Sequence, residues 1–230
     1  MSAAALVEAR APLLLLAPHP DDESLGCGLL LAERWARGLP THVVCLTDGG
    51  ASHPASRIWP RDRLAALRRD ELARAVRRLG GDPDRDLSWL GFPDAASHRV
   101  HGPGQDLGRA VGTVAGRIGA GILLAPAPED PHCDHEAGAR AAARVAAGRP
   151  DLRLWHYPVW SRWTAWEAGA ELQGPHLDLP ARRGAKRAAI AAHRSQMGLV
   201  VTDDADGFRM PPGFAARFAA APELYRPVRP

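Results

Sequence analysis

The stretch Leu13-Leu14-Leu15-Leu16-Ala17-Pro18-His19-Pro20-Asp21-Asp22-Glu23-Ser24-Leu25-Gly26-Cys27-Gly28 sets an uninterrupted aliphatic run against an imidazole and three carboxylates. An aliphatic run ended by proline reads as a strand buried on both faces, and an acidic turn followed by apolar residues reads as a helix start. The charges therefore belong at the carboxyl end of a strand, which is where open α/β sheets bind ligands.

The same alternation continues downstream. Ser24 to Arg37 carries Leu25, Leu29, Leu30 and Trp35 at helical spacing and meets a stop at Gly38 and Pro40. Thr41 to Leu46 is a β-branched strand ending in the loop signal Thr47-Asp48-Gly49-Gly50, and the proline-containing segment from Ala51 to Pro60 reads as a mobile loop over a site. An amphipathic helix follows over Arg61 to Leu79, then a strand over Leu87 to Phe92 ending in Pro93-Asp94. Helices are expected over Leu107 to Ile118 and Glu136 to Ala147, and strands over Gly121 to Pro126 and Leu152 to Val159. Strand and helix in alternation predict an α/β fold, a Rossmann-like three-layer sandwich whose mostly parallel sheet is flanked by helices. Lys186 to Gln196 reads as one more helix and Gly198 to Pro230 as a tail wrapped on the body, so residues 1–230 are expected to form one domain.

Composition narrows the partners. A hydrophobic share of 46% and a charged share of 24% are those of an ordinary globular protein. The net charge is +3, and Lys186 is the only lysine, so the basic residues are otherwise arginines; these are interleaved with acids rather than gathered in a stripe, which argues against nucleic acid. Three cysteines, Cys27, Cys45 and Cys133, with no CxxC spacing, exclude a disulfide framework and a structural zinc knot. With no basic n-region and no apolar run of membrane-spanning length, a cytoplasmic protein without an integral membrane segment is expected.

Two clusters share one chemistry. His19-Pro20-Asp21-Asp22 and Asp130-Pro131-His132-Cys133-Asp134-His135 each follow a predicted strand, and imidazole with carboxylate suits a divalent metal such as zinc with one position open to water. His19 and Asp22, at i and i+3 across a tight turn, can converge while Asp21 points elsewhere, and either His132 or His135 could complete the set. A nucleotide-binding Rossmann enzyme is not supported: Gly26-x-Gly28 lacks the third glycine, and the acidic turn would repel phosphate.

Pro18-His19-Pro20-Asp21-Asp22-Glu23 with the small Gly26-Cys27-Gly28 opening, together with His132-Cys133-Asp134-His135, resembles the PIG-L / LmbE-like de-N-acetylases. Thr47-Asp48-Gly49, the pair Arg68 and Glu71, and His193-Arg194-Ser195-Gln196 extend the resemblance over nearly the whole chain. That family includes enzymes deacetylating N-acetylglucosaminyl-phosphatidylinositol and the precursors of mycothiol and bacillithiol. The resemblance implies one Zn2+ held by His19, Asp22 and His135, Asp21 as general base, and a protonated His132 stabilising or protonating the reacting group. Asp134 would orient a histidine, and Glu23 would serve the helix start or support the metal site from behind. Cys133 stands where relatives commonly carry proline and reads as inert rather than as a ligand.

Substrate contacts are read from position along the chain. Arg68 faces the substrate or is a solvated helix position, and Asp94 accepts from sugar hydroxyls or caps a turn. His53, Arg57 and Trp59 lie on the loop expected to overhang the metal. Trp155, Trp160, Trp163 and Trp166 stack on a sugar or belong to the core. His42, His98, His101, His156, His176 and His193 read as structural or surface residues. The expected activity is hydrolysis of an N-acetyl group from an amino-sugar-containing small molecule or glycoconjugate. An inactive sugar-binding protein of the same fold and an amidase of a thiol conjugate are the alternatives.

Overall fold

A computed structural model describes residues 2–99 and 106–228; His101 lies outside them, as do Arg229 and Pro230. The elements in chain order are α1 (Ala4–Glu8), β1 (Leu13–Ala17), α2 (Asp22–Ala36), β2 (Thr41–Thr47), α3 (Arg61–Leu79), α4 (Pro83–Asp86), β3 (Leu87–Phe92), α5 (Leu107–Arg117), β4 (Ile122–Pro126), α6 (Cys133–Ala147), β5 (Arg153–Tyr157), α7 (Trp160–Glu167), β6 (His176–Leu177), α8 (Arg183–Ile190), α9 (Phe214–Ala220), β7 (Glu223–Leu224) and β8 (Arg226–Pro227). The main sheet runs β3-β2-β1-β4-β5-β8, parallel except for β8 at the edge. It is the mostly parallel, helix-flanked sheet that the alternating pattern predicts.

The leucine run explains itself once both faces are seen. Leu13 and Leu15 pack with Val43, Leu124 and Trp155 under α1, α2 and the C-terminal helices, whereas Leu14 and Leu16 pack with Val44, Leu46 and Leu123 under α5 and α6. Successive side chains point to opposite faces of a strand, so a strand covered on both sides has no polar position. Burying each such leucine contributes roughly 1.5–3 kcal/mol. The order of the chain reverses between β1 and β4, and the loops leaving those neighbours carry the two acidic, histidine-bearing clusters. A crevice at such a switch point is where this architecture binds ligands.

Three expected helices have ends that matter for the site and lie elsewhere. Helix α2 begins at Asp22 rather than Ser24, and α6 at Cys133 rather than Glu136, so Asp22, Asp134 and His135 are all first-turn residues. The helix expected over Lys186 to Gln196 stops at Ile190, and a separate 3-10 turn covers Arg194–Met197. Long-range hydrogen bonds pull the chain out of helix there: His193 Nε2 lies 3.0 Å from Glu23 Oε1, and Ser195 donates from its N–H and hydroxyl to Glu71 at 2.9 and 2.6 Å.

The tail is fastened rather than draped. Glu223 receives the Leu29 and Leu30 amides of α2 at 2.7 and 3.0 Å and pairs with the buried Lys186 ammonium at 2.7 Å. The loop after β2, expected to be mobile, is tied to the tail instead: Asp203 accepts from the Ser56 hydroxyl and the Arg57 and Ile58 amides, and Asp204 from the Ala55 amide.

Candidate metal centre and its cavity

The turn between β1 and α2 folds so that the Asp22 carboxylate accepts the His19 amide at 2.9 Å, which brings side chains three residues apart to one point. His19 Nδ1 and His135 Nε2 each lie 3.3 Å from Asp22 Oδ2, all three residues are buried, and one ligand atom from each lies within 4.8 Å of the others. His135 Nε2 is a buried ring nitrogen with no hydrogen-bond partner. A divalent cation answers that vacancy in bonding: two imidazoles and a carboxylate supply three ligands and leave a coordination position free, and this donor set fits a metal of the zinc type.

Each of these two histidines has a carboxylate on its far nitrogen. His135 Nδ1 lies 2.9 Å from Asp130, and His19 Nε2 lies 3.2 Å from Asp134 and 3.4 Å from Asp94. Such partners fix the ring and its tautomer for ligation. They also hold protons on the rings when no cation is present: burial pulls both imidazoles down, but the carboxylates outweigh it, raising His19 and holding His135 at about 9. Asp134 is itself fixed by the Ala95 amide and by the Ser97 amide and hydroxyl.

Asp21 is set apart from this trio. It occupies the position before α2 with φ 154° and ψ −27°, a conformation costly for a side chain with a Cβ, and its amide donates to Glu23 Oε2 at 3.0 Å. Arg68 is not on a solvated face. It is buried, donates to the Gly49 and Pro20 carbonyls, and lies 3.3 Å from Asp21 Oδ2. Gly49, at φ 64°, lets that guanidinium approach; a Cβ there would stand 2.7 Å from it. Burial pushes the Asp21 carboxyl up to about 6 against the pull of Arg68.

His132 caps α6, its Nδ1 accepting the Asp134 amide at 3.2 Å, which leaves the ring proton on Nε2. Burial and the neighbouring His19 and His135 push it down to about 4. In the absence of a cation this direction favours the neutral ring. Glu23 is fully buried and meets the Ser24 hydroxyl and His193, so its place is behind Asp21. Cys133 lies toward Ala95 and Asp134 rather than in the His19, Asp22, His135 trio.

These groups open into a cavity of about 440 Å³, lined by His19, Asp21, Asp22, Arg68, Asp94 and His132 at one end and by Leu25, Trp160, Phe208, Met210 and Phe214 along a wall. His53 and Arg57 do not line it. His53 is packed against Gly207, and Arg57 is exposed with its amide on Asp203. Ser52 and Pro54 of the same loop do reach the cavity. Of the tryptophans, Trp155 is core, Trp163 and Trp166 pack on Phe214 and Phe218, and Trp160 reaches the cavity. Sequence reading passes over Asp130 as an orienting group and over His193, whose partner stands 170 positions away.

The sequence profile of PIG-L, GlcNAc-PI de-N-acetylase, matches residues 14–146, which contain both clusters. The chain belongs to the PIG-L family. Among its relatives, a probable N-acetyl-alpha-D-glucosaminyl L-malate deacetylase 2 of Bacillus anthracis is 30% identical over 197 residues, covering 83% of this chain and 84% of that protein. The PIG-L fold is recovered in solved structures. An N,N'-diacetylchitobiose deacetylase from Pyrococcus horikoshii aligns over 95% of this chain and 84% of its own with a TM-score of 0.69 and 21% identity. The 4-carboxy-2-hydroxymuconate hydratase GalB of Pseudomonas putida KT2440 aligns over 96% and 97% with a TM-score of 0.68 and 19% identity. A hydratase and a deacetylase on one scaffold leave the reaction to be argued from side chains rather than from the fold.

Proposed function

We propose that this PIG-L protein is a metal-dependent N-deacetylase, removing an acetyl group from an amino-sugar-containing small molecule or glycoconjugate. The observation that carries the reading is the buried His135 Nε2, without a hydrogen bond of its own and converging with His19 on Asp22 Oδ2, while the Asp21 carboxylate, held by Arg68, stands beside them. His19, Asp22 and His135 would hold the ion, zinc by their chemistry, which when bound supplies Lewis acidity, lowering the pKa of water and polarising the amide carbonyl.

Asp21 takes the proton of the attacking water; a carboxyl raised to about 6 sits near the working pH, where a base both exists in its charged form and holds a proton well. Arg68 keeps that carboxylate ionised and aimed. His132 lines the same space and offers a neutral Nε2–H to the oxygen that gains charge, and Asp21 returns the proton to the departing amine. Asp94, beside His19 at the polar end, accepts from sugar hydroxyls.

Residues 1–230 are read as one domain because the tail supplies a wall of the cavity. Among the described residues no helix is long and apolar enough to cross a membrane, and the free, buried thiols of Cys27 and Cys45 fit a reducing cytoplasm.

The test is amine release from methyl 2-acetamido-2-deoxyglucoside by zinc-loaded protein. Wild type turns it over; Asp21→Asn keeps the metal and loses at least about a hundredfold in kcat. Absence of amine release from this and other N-acetylated glycosides by the loaded wild type would sink the reading.

A further inference from the structure

The cavity is built from two sources. Its polar end, His19 to His132, falls inside the segment 14–146 that matches the family, whereas Trp160, Phe208, Met210 and Phe214 lie beyond it. The three aromatic rings are in contact, the Trp160 ring standing 5.8 Å from Phe208 edge-on and 5.2 Å from Phe214, and Met210 shares the lining with them.

The wall is preformed. Asp130, which holds His135, also accepts the Val159 and Ser161 amides on either side of Trp160. The Phe208 amide donates to Ser52 O and the Met210 amide to Gln196 O, both at 2.7 Å. A rigid aromatic surface of this kind binds apolar ring faces without an ordering penalty.

Its electrostatics disfavour one ligand class. Among the described residues lining the cavity Arg68 is the one arginine or lysine, and its two terminal nitrogens are already taken by Gly49, Pro20 and Asp21. Asp206 adds a carboxylate near Phe208 on the lining. A carboxylate-bearing ligand laid there would lose hydration and meet like charge.

We propose that the wall of Trp160, Phe208, Met210 and Phe214 is the aglycone site and takes an uncharged aglycone with an apolar ring face, disfavouring dicarboxylates such as malate. The assignment rests on the deacetylase reading: acetyl is held at the metal end and sugar hydroxyls at Asp94, which leaves the wall for the remaining substituent. A malyl carboxylate laid on this wall would thus find no arginine or lysine of the wall to pair with.

Kinetics on zinc-loaded protein test it with the methyl, phenyl and malyl glycosides of N-acetylglucosamine. The phenyl glycoside is expected to exceed the malyl in kcat/KM by about tenfold or more, and Phe208→Ala and Met210→Ala each to lower the phenyl-to-methyl ratio several-fold, up to about tenfold. Asp206→Asn narrows the gap between methyl and malyl. Equal rates on phenyl and malyl glycosides, or a ratio unmoved in both wall variants, overturn the assignment. So does a preference for N-hexanoyl- over N-acetylglucosamine that Phe208→Ala abolishes, since the wall would then hold the acyl chain. If no glycoside is hydrolysed, the deacetylase reading fails separately, and calorimetric binding of the phenyl and malyl glycosides to the loaded protein still decides the wall: tighter phenyl binding, lost in Phe208→Ala, supports it, and equal binding overturns it.

Discussion

Asp130 holds His135 Nδ1 at 2.9 Å with one carboxylate oxygen while the other receives the Ser161 amide and hydroxyl at 2.9 and 2.5 Å. One buried side chain thereby aims a candidate metal ligand and anchors the start of α7, which presents Trp160 to the cavity. The ligand's orientation and the cavity's shape share a single support.

Asp130→Asn keeps an acceptor for the backbone but replaces the carboxylate that fixes and polarises the imidazole. The expected outcome is a roughly 10- to 100-fold loss of zinc affinity, with the protein still folded. A competitive titration against a chromogenic chelator measures it; wild-type affinity in the variant would remove Asp130 as an orienting group.

Arg68 is expected to set the working pH through Asp21, against which it lies at 3.3 Å. The guanidinium lowers a carboxyl that burial has raised to about 6, so kcat/KM is expected to fall below about pH 6 as Asp21 gains its proton. Arg68→Met removes the lowering charge, and the acid limb is expected to move up by roughly one pH unit. The same change leaves the Gly49 and Pro20 carbonyls without their donor, at about 1–3 kcal/mol of stability. A limb that stays in place while the protein remains folded would separate Arg68 from Asp21.

Local pattern made much of this legible. The leucines of β1 announce a doubly covered strand because no residue there can be polar, and the i, i+3 spacing of His19 and Asp22 contains their convergence on one turn. His132 and His135 could not be told apart by spacing; the helix start at Cys133 gives them different positions, one at the cap and the other on the first turn. What local pattern does not carry is pairing at long range. Nothing near His193 announces Glu23, nothing near Ser195 announces Glu71, and those bonds are what break the helix expected to run through them. His53 and Arg57 belong to the loop that borders the cavity, but Asp203 and Asp204, far along the chain, fix its backbone so that Ser52 and Pro54 face inward instead.

Gly26 illustrates a motif whose meaning changes with the structure. A Cβ there would overlap the Tyr157 ring, standing 2.7 Å from Cε2, and that ring cannot swing away freely because its hydroxyl donates to Leu16 O at 2.8 Å. The small residue serves helix-to-sheet packing rather than phosphate approach. Gly26→Ala is expected to cost about 1–3 kcal/mol in urea unfolding. Unchanged stability would show that Tyr157 can move, and the close approach would then place no demand on the sequence.

Metal uptake should be coupled to proton release, with a sign fixed by the carboxylates around the histidines. Without a cation, burial pulls His135 down but Asp22 and Asp130 outweigh it and hold the ring at about 9, and His19 is raised by Asp134, Asp22 and Asp94. Both rings are therefore protonated at neutral pH, yet ligation requires each nitrogen facing the ion to be free of its proton. Zinc binding at pH 7 is thus expected to release about two protons. Affinity should still be rising with pH at about 9, where half of the His135 rings have lost their proton. Calorimetric titrations in two buffers of different ionisation enthalpy read the number directly. Heats independent of the buffer would mean that the imidazoles are neutral before metal arrives, and that the carboxylates orient them without holding a proton on them. In Asp130→Asn the release should fall toward one, because the group that sustains the His135 charge from its far side is gone.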